Sequence, residues 1–122
     1  MPLEANTVLV VIADLMFTVK INEAAKRAGM PAVFVKSEID ALEKAATDPA
    51  LIIVDLNCAT IDVLSLIRKL KSDDATKKIS LIGYVSHVQG ELKQQAQDAG
   101  CDMVLARSAF SQNLPQILKR HS

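Results

Sequence analysis

Apolar residues in this chain fall into short continuous runs, separated by stretches in which they recur at helical spacing. One run, Leu51-Ile52-Ile53-Val54, leads straight into Asp55 and a loop-like Leu56-Asn57. A continuous β-branched and leucine run suits a strand buried on both faces, as in the middle of a parallel sheet. Comparable runs at 8–12, 32–35, 79–85 and 103–106 predict four more strands. After the first, Phe17, Ile21, Ala24, Ala25 and Ala28 share one helical face, Lys26 and Arg27 occupy the last turn, and Gly29 and Pro31 stop the helix. Ser37 is placed to cap a second helix whose apolar stripe is Ile39, Leu42 and Ala46. Thr60 is read as opening a third, with Val63, Leu66, Ile67 and Leu70 inward, and the polar residues 72–78 as a loop. The most polar helix spans 91–98, with only Leu92, Ala96 and Ala99 as a stripe and Gly100 as its stop. A last helix carries Phe110 or Leu114 through Ile117 and Leu118. Proline is best tolerated in a first turn, so Pro115 places its start at about residues 111–113.

Strands that alternate with helices predict a parallel sheet covered on both faces, joined by right-handed crossovers. The 122 residues suit one domain, read as 1–122, and no internal repeat, low-complexity tract or linker interrupts them. Hydrophobic residues make up 50% of the chain, enough for a substantial core. Fourteen basic and fourteen acidic residues cancel, with no long block of one sign. Nucleic acid and an anionic membrane are therefore not expected as partners. The apolar runs are too short to span a bilayer, and no basic-then-apolar leader opens the chain, which points to the cytoplasm. The two cysteines, Cys58 and Cys101, are expected to be free thiols at opposite ends of the sheet. Cys58, near Asp55, is read as buried or incidental rather than reactive.

The strand ends bring Asp14, Asp55, Asn57, Ser86 and Arg107 to the C-terminal edge, where open α/β sheets collect their sites. A carboxylate, a hydroxyl and a fixed cation suit binding or transfer of a phosphoryl group. The alternative is a structural ion pair between Asp55 and Arg107, with Ser86 an ordinary polar strand end.

The run Asp55-Leu56-Asn57-Cys58-Ala59-Thr60-Ile61-Asp62-Val63-Leu64 resembles the stretch after the phospho-acceptor aspartate in receiver domains of bacterial two-component response regulators. The continuations Ile67-Arg68-Lys69-Leu70-Lys71, Ile79-Ser80-Leu81-Ile82 and Ala99-Gly100-Cys101-Asp102 fit the same family, so the resemblance covers residues 8–120. It implies a flavodoxin-like doubly wound sheet of five parallel strands in the order 2-1-3-4-5, with five helices. It also implies roles: Asp55 as phospho-acceptor, Ser86 as the switch hydroxyl, and the Asn57 backbone carbonyl as a metal ligand.

The departures from the family matter as much. Its Mg²⁺-binding acidic pair falls on Ile12 and Ala13, its lysine after the fifth strand on Arg107, and the following proline on Ser108. The Pro and Gly expected after the acceptor are Ala59 and Val63, and the aromatic switch residue is Val104. Mg²⁺ takes carboxylate, phosphate and water oxygens. Only Asp14, Asp55 and Asn57 remain to offer any, and no resident cofactor is expected. Arg107 replaces a compact ammonium with a planar fork able to hold Asp55 bidentately.

The expected function is a pseudo-receiver: a protein-interaction module of a phosphorelay that does not depend on Mg²⁺ or phosphorylation. Its partner would be a histidine kinase, an output domain or another signalling protein. That partner is expected on the fourth helix, fifth strand and fifth helix, where Gln89, Gln94, Gln95 and Gln97 make part of the surface uncharged and hydrogen-bond-rich; a homodimer is a further expectation. The alternative is a working receiver that accepts phosphate on Asp55 from a histidine kinase. An enzyme is not expected: no Gly-rich phosphate loop follows the first strand, His87 and His121 are too few for a metal site, and His87 should point away from Ser86.

Overall fold

The computed structural model describes residues 6–86 and 90–121. His87 and Gln89 lie outside the described residues. Ten elements alternate: β1 (Val8–Val11), α1 (Leu15–Arg27), β2 (Ala32–Val35), α2 (Glu38–Ala45), β3 (Leu51–Asp55), α3 (Val63–Ser72), β4 (Ser80–Val85), α4 (Gly90–Ala99), β5 (Met103–Ala106) and α5 (Arg107–His121). All strand pairings are parallel, in the order β2-β1-β3-β4-β5. This is the flavodoxin-like order expected from the sequence.

The strands alternate their side chains between two cores. Leu9, Val11, Ile52, Val54 and Leu81 pack against α2, α3 and α4. Val8, Val10, Leu51, Ile53, Ile82 and Tyr84 pack against α1 and α5. Every residue of β1 and β3 is buried, which explains why these two strands read as unbroken apolar runs. Both cysteines are buried free thiols, and burial pushes the Cys101 thiol up to about 11.

Three helices differ from the sequence reading. In α2 the buried residues are Ala41 and Ala45, whereas Ile39 is 71% exposed. The Ser37 cap fixes the helix phase, its hydroxyl accepting from the Asp40 N–H at 3.2 Å. That phase turns the small side chains inward, where they let the backbone approach β1 and α3 closely. Next, α3 starts at Val63 because Asp62 is its cap, accepting from the Ser65 N–H at 3.2 Å. The Thr60 hydroxyl instead donates to the Lys36 carbonyl at 2.8 Å, a contact that sequence spacing cannot disclose.

The last helix begins at Arg107, directly at the end of β5, and Pro115 lies inside it. An interior proline costs about 3 kcal/mol through its missing N–H and its clash with the preceding turn. Pro115 is on the exposed face, so the freed carbonyl of Ser111 can turn to water. Phe110, Leu114, Ile117 and Leu118 bury the opposite face and offset the loss. Consequently Arg107 is a first-turn helical residue rather than part of a loop.

Core placement gives a direct test. Ile53→Ala should destabilise by about 2–5 kcal/mol in urea unfolding, since it empties a fully buried site in a central strand. Ile39→Ala should stay within about 0.5 kcal/mol of wild type. Equal losses would contradict the observed phase of α2.

Candidate functional site

Asp55 is the last residue of β3 and is 8% exposed. One carboxylate oxygen, Oδ1, accepts the Asn57 N–H at 2.9 Å, closing a tight turn off the strand. The Cys58 N–H continues that turn to the Asp55 carbonyl at 3.0 Å. The Asn57 side chain has a structural role that its sequence position did not reveal. Its Oδ1 accepts the Ser86 N–H at 2.7 Å and ties the turn after β3 to the end of β4.

Burial pushes the Asp55 pKa above the ordinary carboxylate value. The Asn57 N–H and the Arg107 guanidinium oppose the rise, and the Asp14 charge adds to it. Asp14, Asp55 and Arg107 therefore share one electrostatic site.

The ion pair within this site is not the one anticipated between Arg107 and Asp55. The Arg107 Nη2 donates to Asp14 Oδ2 at 3.0 Å. Asp14 has already left the strand and is the cap of α1, its Oδ1 accepting the Phe17 N–H at 3.2 Å. The chain bends before α1, which brings Asp14 round to the rim. A first-turn capping aspartate lies at the C-terminal rim, and the guanidinium at the start of α5 finds it first. Both oxygens of Asp14 are thereby engaged.

Arg107 also covers an aromatic ring, with its guanidinium carbon 4.4 Å from the Phe17 centroid. Phe17 leads to Tyr84 at 5.0 Å, and Tyr84 stacks on Phe110 at 4.7 Å. Tyr84 pairs with Asp55 in the sheet register, so the two side chains leave neighbouring strands on the same face. Its hydroxyl is buried and has no hydrogen-bond partner among the described residues. Burial and the Asp55 charge both push its pKa up. The sole tyrosine of the chain, in the strand beside Asp55, was a legible signal that the sequence reading missed. Val104, at the position expected to carry an aromatic, packs on the other face of the sheet.

An open cavity of about 850 Å³ adjoins this rim, lined by Met16, Phe17, Lys20, Ser86, Arg107 and Ser108, among others. The structure thus brings Ser86 and Arg107 to one opening, with Asp14 paired to Arg107. Among the described residues, no group of three or more His, Cys, Asp or Glu side chains is arranged to hold a metal ion.

Asp55 is expected to carry a pH signature. With its folded-state pKa above the unfolded value near 3.8, the folded chain holds the proton more tightly. Its stabilising contribution is full below that value and is lost as pH rises through the folded pKa. Asp55→Asn keeps an acceptor for the Asn57 N–H but removes the buried charge. It should be more stable than wild type at pH 7 and lose that advantage once the pH falls below 3.8. Urea melts across this range would contradict the assignment if the variant were no more stable at pH 7.

No protein-family model and no curated protein matches the chain. Solved structures match along almost all of it. The chemotaxis response regulator CheY4 of Vibrio cholerae is 18% identical, with a TM-score of 0.82 over 98% of this chain and 100% of that one. The receiver domain of a sensor histidine kinase from Pseudomonas aeruginosa, solved with magnesium in its active-site cleft, is 20% identical, with a TM-score of 0.82 over 97% and 98%. A sensor protein from Polaromonas is 27% identical, with a TM-score of 0.79 over 97% and 96%. The strand order and these structural matches show that the chain has the fold of response-regulator receiver domains.

Proposed function

We propose that this chain is a receiver-type module of two-component signalling that works through protein contacts and independently of Mg²⁺-dependent phosphorylation of Asp55. The observation that carries this reading is the Asp14–Arg107 pair. Mg²⁺ demands near-octahedral oxygen coordination at close range, usually with one or two carboxylates. Here Ile12 and Ala13 offer no side-chain oxygen, both Asp14 oxygens are engaged, and a guanidinium occupies the cationic place at the rim. The donor set does not fit the ion. The absence of an aromatic at Val104 removes the ring whose rotation would couple the rim to the β5 surface.

The contact surface assigned to a partner is the α4–β5–α5 face. Gln94, Gln95 and Gln97 are exposed there, β5 pairs on one side only, and Met103 is 38% exposed. An edge strand with a partly exposed apolar residue beside a glutamine-rich helix suits a kinase, an output domain or a second copy of the chain. A cytoplasmic, non-enzymatic role accompanies this reading. Among the described residues, no helix is long and apolar enough to cross a membrane.

One observation favours the alternative of a working receiver. Asp55 keeps its place at the end of β3, with Arg107 in its electrostatic field and Ser86 at the end of the neighbouring strand. Incubation with acetyl phosphate and Mg²⁺, followed by intact mass measurement, separates the two readings. No mass gain is expected. A phosphoryl adduct that disappears in Asp55→Asn would establish the working receiver instead. In parallel, partner capture by wild type and Asp55→Ala should be equal; loss in the variant would remove the phosphorylation-independent reading.

A further inference from the structure

Arg107 is matched by Asp14, but a second cation at the same rim is not matched. Lys20, on α1, has no ion pair among the described residues. Glu23, three residues further along the helix, lines a separate hollow with Val19 and Lys26 on the β2 side of α1. Lys20 instead lines the open rim cavity of about 850 Å³, and no Asp or Glu lines that cavity. With Arg107 already neutralised, the cavity carries one uncompensated positive charge.

The rest of its wall has two parts. Ser86, Ser108, Ser111 and Gln112 present three hydroxyls and an amide, and these side chains make no hydrogen bond among the described residues. Met16, Phe17 and Ala106 form an apolar part, with Met16 84% exposed. A methionine side chain is unbranched and adapts to the shape laid against it. Helix α5 starts at Arg107 directly after β5, so the positive end of its dipole belongs to this wall. Small-molecule sites fall in a range of about 300–1,000 Å³ and combine an apolar lining with a few polar groups. This cavity has both properties, and it opens at the strand-end rim where open α/β sheets take their ligands.

We propose that the cavity binds an organic carboxylate, a monoanion with an apolar body, whether or not Asp55 takes phosphate. The carboxylate would meet Lys20 and the start of α5, with the serine hydroxyls donating to its oxygens. The body would lie on Met16 and Ala106. The charge count selects this class. One uncompensated cation matches one negative charge, whereas a phosphate monoester carries about −1.5 to −2 and would leave part of it unmet. A bare inorganic anion would leave the apolar part uncovered, and a neutral ligand would gain nothing from Lys20. Asp55 does not line the cavity, so the ligand is held without a covalent step.

The test is a titration of the isotope-labelled full chain with 4-phenylbutyrate and with octanoate, in buffer free of Mg²⁺ and of any phosphoryl donor. The outcome is thereby independent of whether Asp55 is an acceptor. Saturable amide shifts should centre on Met16, Lys20, Ser86, Ser108 and Ser111. The neutral 4-phenylbutanamide should bind about tenfold or more weakly, and so should 4-phenylbutyrate to Lys20→Gln. Lys20→Arg should restore most of the affinity. Lys26→Gln, an exposed position lining the other hollow, should leave it unchanged. The proposal is overturned if neither carboxylate shifts the cavity residues, or if the amide binds as tightly as the carboxylate. It is also overturned if Lys20→Gln and Lys26→Gln weaken binding equally, or if inorganic phosphate shifts these residues and the carboxylates do not.

Discussion

Burial of the central strands from both sides is the constraint on which the rest of the molecule depends. Each residue of β1 and β3 has helices above or below it, and no polar side chain is accommodated before Asp55 at the end of β3. Polar and charged groups are pushed to the strand ends, and parallel connections put all the C-terminal ends on one rim. Asp55, Asp14, Arg107 and Ser86 meet there because a doubly covered sheet leaves them nowhere else to go. Asp55 itself is caught at the boundary: it is half of a strand pair with Tyr84 and yet must keep a charge. One backbone N–H and a nearby guanidinium are what it receives in return for lost water.

The choice of partner for the guanidinium then sets the character of the rim. Arg107 begins α5, Asp14 caps α1, and the two helices lie on the same side of the sheet. Their pairing links the two helix starts and leaves Asp55 without a direct ion pair to Arg107. The guanidinium carbon lies over Phe17, whose ring continues through Tyr84 to Phe110. The arrangement is a cation held by a carboxylate over an aromatic ring.

The same layering separates charge. The helices α1 and α5 carry nearly all their charge as cations, while most carboxylates fall on α2, α3, α4 and their loops. Alternate crossovers send consecutive helices to one face or the other, so residues spaced evenly along the chain become unevenly spaced in the fold. A neutral protein thereby acquires a predominantly cationic α1–α5 layer, which the overall charge balance does not disclose.

Sequence alone determined the elements, their alternation and hence parallel strands, because apolar runs and helical spacing are local signals that burial rewards directly; the strand order followed from the family resemblance. It also determined that Asp55 ends a buried strand, since a charge after four apolar residues has to mark the edge. Other features were decided only in three dimensions. Ala41 and Ala45 displaced Ile39 from the core because close approach to the sheet favours small residues. Thr60 lost the capping role to Asp62 because a carbonyl 24 residues away in sequence claimed its hydroxyl. Pro115 entered a helix because that turn faces water. Arg107 chose Asp14, 93 residues distant, over Asp55. A side chain pairs with whatever the crossovers bring within reach, and that distance is written in the packing of helices on the sheet, not in the spacing along the chain.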